Sequence, residues 1–116
     1  MMQEVLRKLL QGCPEAEAAA LMDPDGIPVL VEPRSYDVEV LGAEMASMVR
    51  EMEDASRELQ HGKLRQLEVC TDSRKLLLTT IVEGYFLLFF LDAQAVAGRA
   101  KFYSRVAREA LYSEFI

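Results

Sequence analysis

The chain has 116 residues, about half of them apolar, with 13 Lys and Arg against 19 Asp and Glu and a formal net charge of -6. That suits one domain, residues 1–116, with a real core but much surface left over, so self-association is a natural route to further burial. The acid excess argues against a general nucleic-acid binder and against docking on anionic lipid, both of which need clustered Lys and Arg.

In chain order, Met2, Val5, Leu6, Leu9 and Leu10 make one apolar stripe, predicting a short helix over 2–11 that Gly12 and Pro14 end. Residues 16–22 read as a strand of weak propensity, because Ala is a poor strand former. Asp23-Pro24-Asp25-Gly26 is a turn, and Ile27 to Val31 is the return strand of a hairpin. Pro33 to Tyr36 is a loop. Residues 37–61 form the longest helix, closed by Gly62. Its seam of Leu41, Met45, Met48, Met52, Ala55 and Leu59 runs beside a second strip of Val38, Gly42, Ala46 and Val49. Together they cover roughly half the circumference, wider than the ~100° stripe that one contact needs. Such a helix should touch both its own sheet and a second copy of itself.

Leu64 to Thr71 alternates, with Leu67, Val69 and Thr71 on one face and Gln66, Glu68 and Cys70 on the other. After a turn at 72–74, Lys75 to Val82 is a strand, Glu83-Gly84 a tight hairpin turn, and Tyr85 to Leu91 a central strand buried on both faces. Asp92 is placed to cap a final helix over 94–111. Val96, Ala100, Tyr103, Ala107 and Ala110 are expected on its inner side, and Arg99, Lys101, Arg105 and Arg108 mostly outside.

Residues able to carry chemistry are few. Cys13 and Cys70 are too far apart in sequence for a disulfide framework or a zinc motif, so two free thiols in a reducing cytoplasm are expected. The first residues mix acidic, polar and apolar types, and no signal peptide is expected. The longest apolar run, Tyr85 to Leu91, is far below the ~20 residues of a membrane span. His61, the single histidine, sits where an imidazolium favours the end of the long helix. A nucleophilic pair with Cys70 lacks an orienting third group. Asp23, Asp25 and Asp37 do not follow the calcium-loop pattern. No GxxxxGK[ST] loop is present, so GTP binding by the chain itself is not expected. No catalytic residue, metal or cofactor is assigned.

The hairpin LMDPDGIPVL (21–30), HGKLRQLEVCTD (61–72), LLLTTIVEGYFLLFFLD (76–92) and AVAGRAKFYSRVA (95–107) together resemble the roadblock / dynein light chain family. The resemblance implies an α+β fold: a five-stranded antiparallel sheet in αββαβββα order, the long helix on one face and the two terminal helices on the other. It implies a two-fold dimer in which third strands pair edge to edge and long helices pack side by side. Leu41, Met45, Met48, Met52, Leu67 and Val69 are the expected interface. It implies, further, a non-catalytic regulator of a Ras-like small GTPase, as some bacterial members are, with GTPase-activating action among the possibilities. Glu44, Glu51, Asp54 and Glu58 share one polar side of the long helix and are the candidate partner contacts. An arginine finger would fall to Arg50 or Arg57. The alternative is a structural scaffold assembling with other roadblock-type or longin-type subunits through its terminal helices, where Arg105 and Arg108 would matter.

Overall fold

A computed structural model describes residues 1–115, Ala97 by its backbone alone. The elements are α1 (Met2–Gly12), β1 (Ala16–Met22), β2 (Pro28–Glu32), α2 (Glu39–Glu58), β3 (Gln66–Cys70), β4 (Arg74–Thr80), β5 (Phe86–Asp92) and α3 (Ala97–Phe115). The five strands form one sheet in the order β2-β1-β5-β4-β3, every neighbouring pair antiparallel. The expected αββαβββα fold is the fold observed.

β5 lies at the centre of the sheet, which explains its unbroken apolar run. Leu87, Phe89 and Leu91 enter the core beneath α1 and α3, while Phe86, Leu88 and Phe90 enter the core beneath α2. Each helix brings one stripe: Leu6 and Leu9 from α1, Ala107 and Leu111 from α3, and Val38, Met45, Ala46 and Val49 from α2 and its cap. Burial of a large aliphatic side chain contributes about 1.5–3 kcal/mol, so two such layers outweigh the weak strand propensity of β1. The alanines of β1 have a packing reason. β1 sits between β2 and β5 and is covered on both faces, with Ala18 and Ala20 under α2 and Ala19 on the α1 side. Small side chains let both helix layers come close.

The turns fix the frame. The Asp23 carboxylate accepts the Asp25 and Ile27 amides, each at 2.9 Å, and Gly26 takes φ +82° to close the β1–β2 turn. Glu83 and Gly84 both have positive φ, as a type I′ hairpin requires, and the Gly84 turn lies against Pro24. α2 crosses the first turn so closely that a Cβ on Gly42 would collide with the Gly26 carbonyl oxygen. Arg50 donates to the Pro24 carbonyl at 3.1 Å on the same side.

Several expected boundaries move. The long helix covers Glu39–Glu58 rather than 37–61, since Asp37 spends its carboxylate on the Glu39 amide, at 3.2 Å, in a turn before the helix. Gln60, not Gly62, takes the first left-handed position, φ +58°. The Gln60 amide then reaches Arg57 O at 3.1 Å and the His61 amide Ser56 O at 2.9 Å, a Schellman closure. Asp92 is the last residue of β5 and not a helix cap: its carboxylate accepts the Gln94 amide at 3.0 Å, and α3 begins five residues later. α3 also continues to Phe115, beyond the expected end at 111. Its inner side carries Ala100, Ser104, Ala107 and Leu111, whereas Val96 and Ala110 are exposed.

Candidate functional site

α2 divides into three longitudinal strips. Gly42, Met45, Ala46 and Val49 are buried against the sheet. One flank, with Gly42 touching Gly26 and Arg50 bonded to Pro24, leans on the β1–β2 hairpin. The other flank carries Leu41, Met48, Met52, Ala55 and Leu59 and faces the opposite end of the sheet, where β3 is the outermost strand. Met48 is 39% exposed, Met52 44% and Leu59 64%. These are large apolar side chains left half in water, and Leu41, Leu67 and Val69 lie partly buried at the rim of the core beneath them.

The expected apolar seam is therefore split. Met48 and Met52 stand outside with Leu41, Leu67 and Val69 below. Met45 is 2% exposed and committed to the core of its own chain, so it has little surface to offer a neighbour. The reason is the wheel: alternating steps of four and three residues zigzag about the helix, so Met45 lies about 60° round from Met48, on the side where the sheet is.

β3 itself alternates as read. Leu67 and Val69 pair with Leu78 and Leu76 on the α2 side. On the other face Gln66 donates to Thr79 Oγ1 at 3.1 Å, and Glu68 meets Lys101 at 3.4 Å. β3 contains no proline and pairs on one side alone, so its outer row of N–H and C=O groups is available to another strand.

Glu44, Glu51, Asp54 and Glu58 are all exposed along the outer side of α2, and Asp54 holds Arg57 at 3.0 Å. Arg50 reaches Pro24 and Ser47, and Arg57 reaches Asp54, all as exposed surface contacts. His61 is exposed just past the α2 cap and Cys70 exposed at the end of β3, and no hydrogen bond joins them among the described residues. Cys13 is fully buried, and burial, with Glu15 nearby, pushes its thiol pKa up. It behaves as a small apolar residue rather than a nucleophile. Among the described residues no three His, Cys, Asp or Glu side chains cluster as a metal site would, and no helix is long and apolar enough to cross a membrane.

Arg108, expected on the outside of the last helix, is part of the fold. Its Nε donates to Thr80 O at 3.0 Å and its Nη2 to Ile81 O at 3.1 Å, which satisfies the carbonyls where β4 runs out. Two exposed apolar residues of the same helix, Phe102 (54% exposed) and Val106 (52%), escape the sequence reading. Their i, i+4 spacing on the polar side of α3 is the signal that marks them.

The fold is shared with solved structures. A roadblock/LC7 domain from Streptomyces avermitilis superposes with a TM-score of 0.87 at 20% identity, over 97% of this chain and 96% of that one. The gliding protein MglB of Thermus thermophilus gives 0.85 at 20% identity, over 97% and 86%, and Myxococcus xanthus MglB gives 0.88 at 16%, over 98% and 94%. None of the curated proteins compared matches the chain. The Roadblock/LC7 domain model matches residues 2–89, most of the chain, and the chain belongs to that family.

Proposed function

We propose that this chain is a homodimeric, non-catalytic regulator of a Ras-like small GTPase. The observation that carries the dimer is the half-exposed Met48, Met52 and Leu59 flank lying beside the unpaired edge of β3. A twofold axis there lets one copy's flank and strand cover the other's. Leu41, Leu67 and Val69 complete that surface. Solved MglB and MglC structures share the fold, one of them named a gliding protein, and the regulatory part of the reading rests on the family resemblance.

Catalysis then belongs to the GTPase, which holds the phosphates and metal, and the dimer biases its mobile switch loops. Across the dimer the two α2 helices make a platform with a methionine-bearing centre and a rim of Glu44, Glu51, Asp54 and Glu58. The centre holds the two helices together, and the rim steers encounter with the partner and sets its salt dependence.

The test is a binding titration against the cognate small GTPase. Glu51→Lys with Asp54→Lys should slow association and weaken its salt response while the dimer persists. Wild-type binding by that pair, with loss of binding in Arg105→Glu, would move the working surface to the terminal helices and favour the scaffold reading. Arg105→Glu suits this purpose better than Arg108→Glu, which would also strip Thr80 and Ile81 of their donor.

A further inference from the structure

The open edge of β3 limits how a second copy can pair with it. The Thr80 amide donates to Arg65 O and the Thr71 amide to Arg74 O, each at 2.9 Å. Arg65 and Thr71 thus turn these backbone groups toward β4. In an antiparallel ladder the direction alternates from residue to residue, so Leu67 and Val69 do the same. The N–H and C=O groups of Gln66, Glu68 and Cys70 therefore point out of the sheet edge. Side chains alternate as well. Leu67 and Val69 belong to the core beneath α2, and Glu68 lies on the other face with Lys101 of α3 at 3.4 Å.

A twofold axis that joins two such edges antiparallel, with both α2 helices on one face, stands perpendicular to the sheet. One residue of β3 then faces its own copy, and the others pair symmetrically about it. With the axis at Leu67, Cys70 falls opposite Leu64, outside the strand, and with the axis at Val69, Gln66 falls opposite Asp72. With the axis at Glu68, Gln66 meets Cys70, Leu67 meets Val69, and every outward N–H and C=O of β3 has a partner.

We infer that β3 pairs with its copy about Glu68, and that this residue discriminates between partner chains, an assignment that rests on the homodimer proposed above. On the α2 face the pairing brings Leu67 against Val69 twice, beneath the methionine flank. On the α3 face Glu68 stands directly opposite its own copy, with Cα atoms about 5.5 Å apart. Like charges so placed are unfavourable. Lys101 offsets them, since its ion pair with Glu68 in each copy lines up base, acid, acid and base across the joint. Self-pairing is thus tolerated at this position and not optimised. A chain of the same fold with a base there pairs with this one more tightly than this one pairs with itself.

Cysteine cross-linking under mild oxidation tests the register, and light scattering under reducing conditions tests the dimer itself. Gln66→Cys should bond to the native Cys70 of the other copy, because the Cα separation of a hydrogen-bonded pair is within disulfide reach. Neither the wild type nor Gln66→Cys with Cys70→Ser should cross-link, since identical residues then lie about 13 Å apart along the strands. Wild type mixed with the charge-exchanged Glu68→Lys, Lys101→Glu variant should give the mixed dimer well above its statistical share in native mass spectrometry. Cross-linking through Leu67→Cys or Val69→Cys, each with Cys70→Ser, while Gln66→Cys does not cross-link, would overturn the register on an intact dimer. A mixed dimer at its statistical share would overturn the role of Glu68. A wild type that scatters as a monomer would overturn the homodimer and the register with it.

Discussion

The two edges of the sheet are treated in opposite ways. At the β2 edge the chain supplies its own cover. Pro28 carries no N–H, the Gln3 amide of α1 reaches the Val31 carbonyl at 3.4 Å, and Arg7 approaches Glu32 at 3.9 Å. At the β3 edge there is no proline and, among the described residues, no covering helix, and the nearest helix flank shows methionines rather than charges. Proteins blunt the edges they do not use. An edge left open beside half-exposed apolar side chains is the one the proposed dimer would use, and the difference between the two edges says more than either alone.

The largest effect should come from spoiling the open side. Met48→Glu with Met52→Glu removes two apolar contacts of about 1.5–3 kcal/mol each, so the dimer dissociation constant should rise by about a hundredfold or more. Analytical ultracentrifugation should then show the seam's contribution to the mass gone. Val29→Glu, on the closed edge, should leave the mass unchanged, and an equal response at both edges would break the comparison.

Next comes the contact that sets α2 toward β3. Gly42→Ala forces a methyl group into the Gly26 backbone and should cost about 1–3 kcal/mol, lowering Tm by roughly 4–8 °C per kcal/mol in calorimetry. An unchanged Tm would mean α2 is free to shift away from the hairpin.

A gain of roughly 0.5–1 kcal/mol is expected from Gln60→Gly, because Gln60 holds φ +58° without the freedom glycine has there. Denaturant titration should show the midpoint rise with the slope unchanged.

The smallest perturbation is a thiol count. Cys70 at the end of β3 is exposed and should react with a thiol reagent in the native protein. Cys13 is buried with a raised pKa, so it stays a protonated thiol to higher pH and should react after unfolding alone. Two fast thiols would contradict the packing of α1 on the sheet.

Much of this was legible from side-chain pattern. The Asp23–Gly26 and Glu83-Gly84 turns, the doubly buried β5 and the alternation in β3 all follow from spacing and glycine placement, since those constraints act locally. The failures have a common cause in competition between local roles and tertiary ones. Asp92 has the chemistry of a helix cap but serves a turn inside the strand end. Met45 shares the spacing of Met48 and Met52, yet the position of the sheet, not the spacing, decides which of them is buried. Arg108 looks like a surface base, and its partners are the Thr80 and Ile81 carbonyls, far away in sequence. The ends of α2 went astray for a related reason, because Gln60 rather than glycine occupies the left-handed position.

Strand order carries one more consequence, for a chain made from its N-terminus. β1 lies between β2 and β5, yet β5 begins only at Phe86. At about 5–20 residues per second, the β1–β2 hairpin waits several seconds on the ribosome with one side of β1 unpaired. A valine- or isoleucine-rich strand in that position would be a ready template for pairing with a neighbouring nascent chain. The run Ala16-Glu17-Ala18-Ala19-Ala20 is a poor one, so the same small side chains that fit between two helix layers in the finished protein keep the unfinished one from sticking.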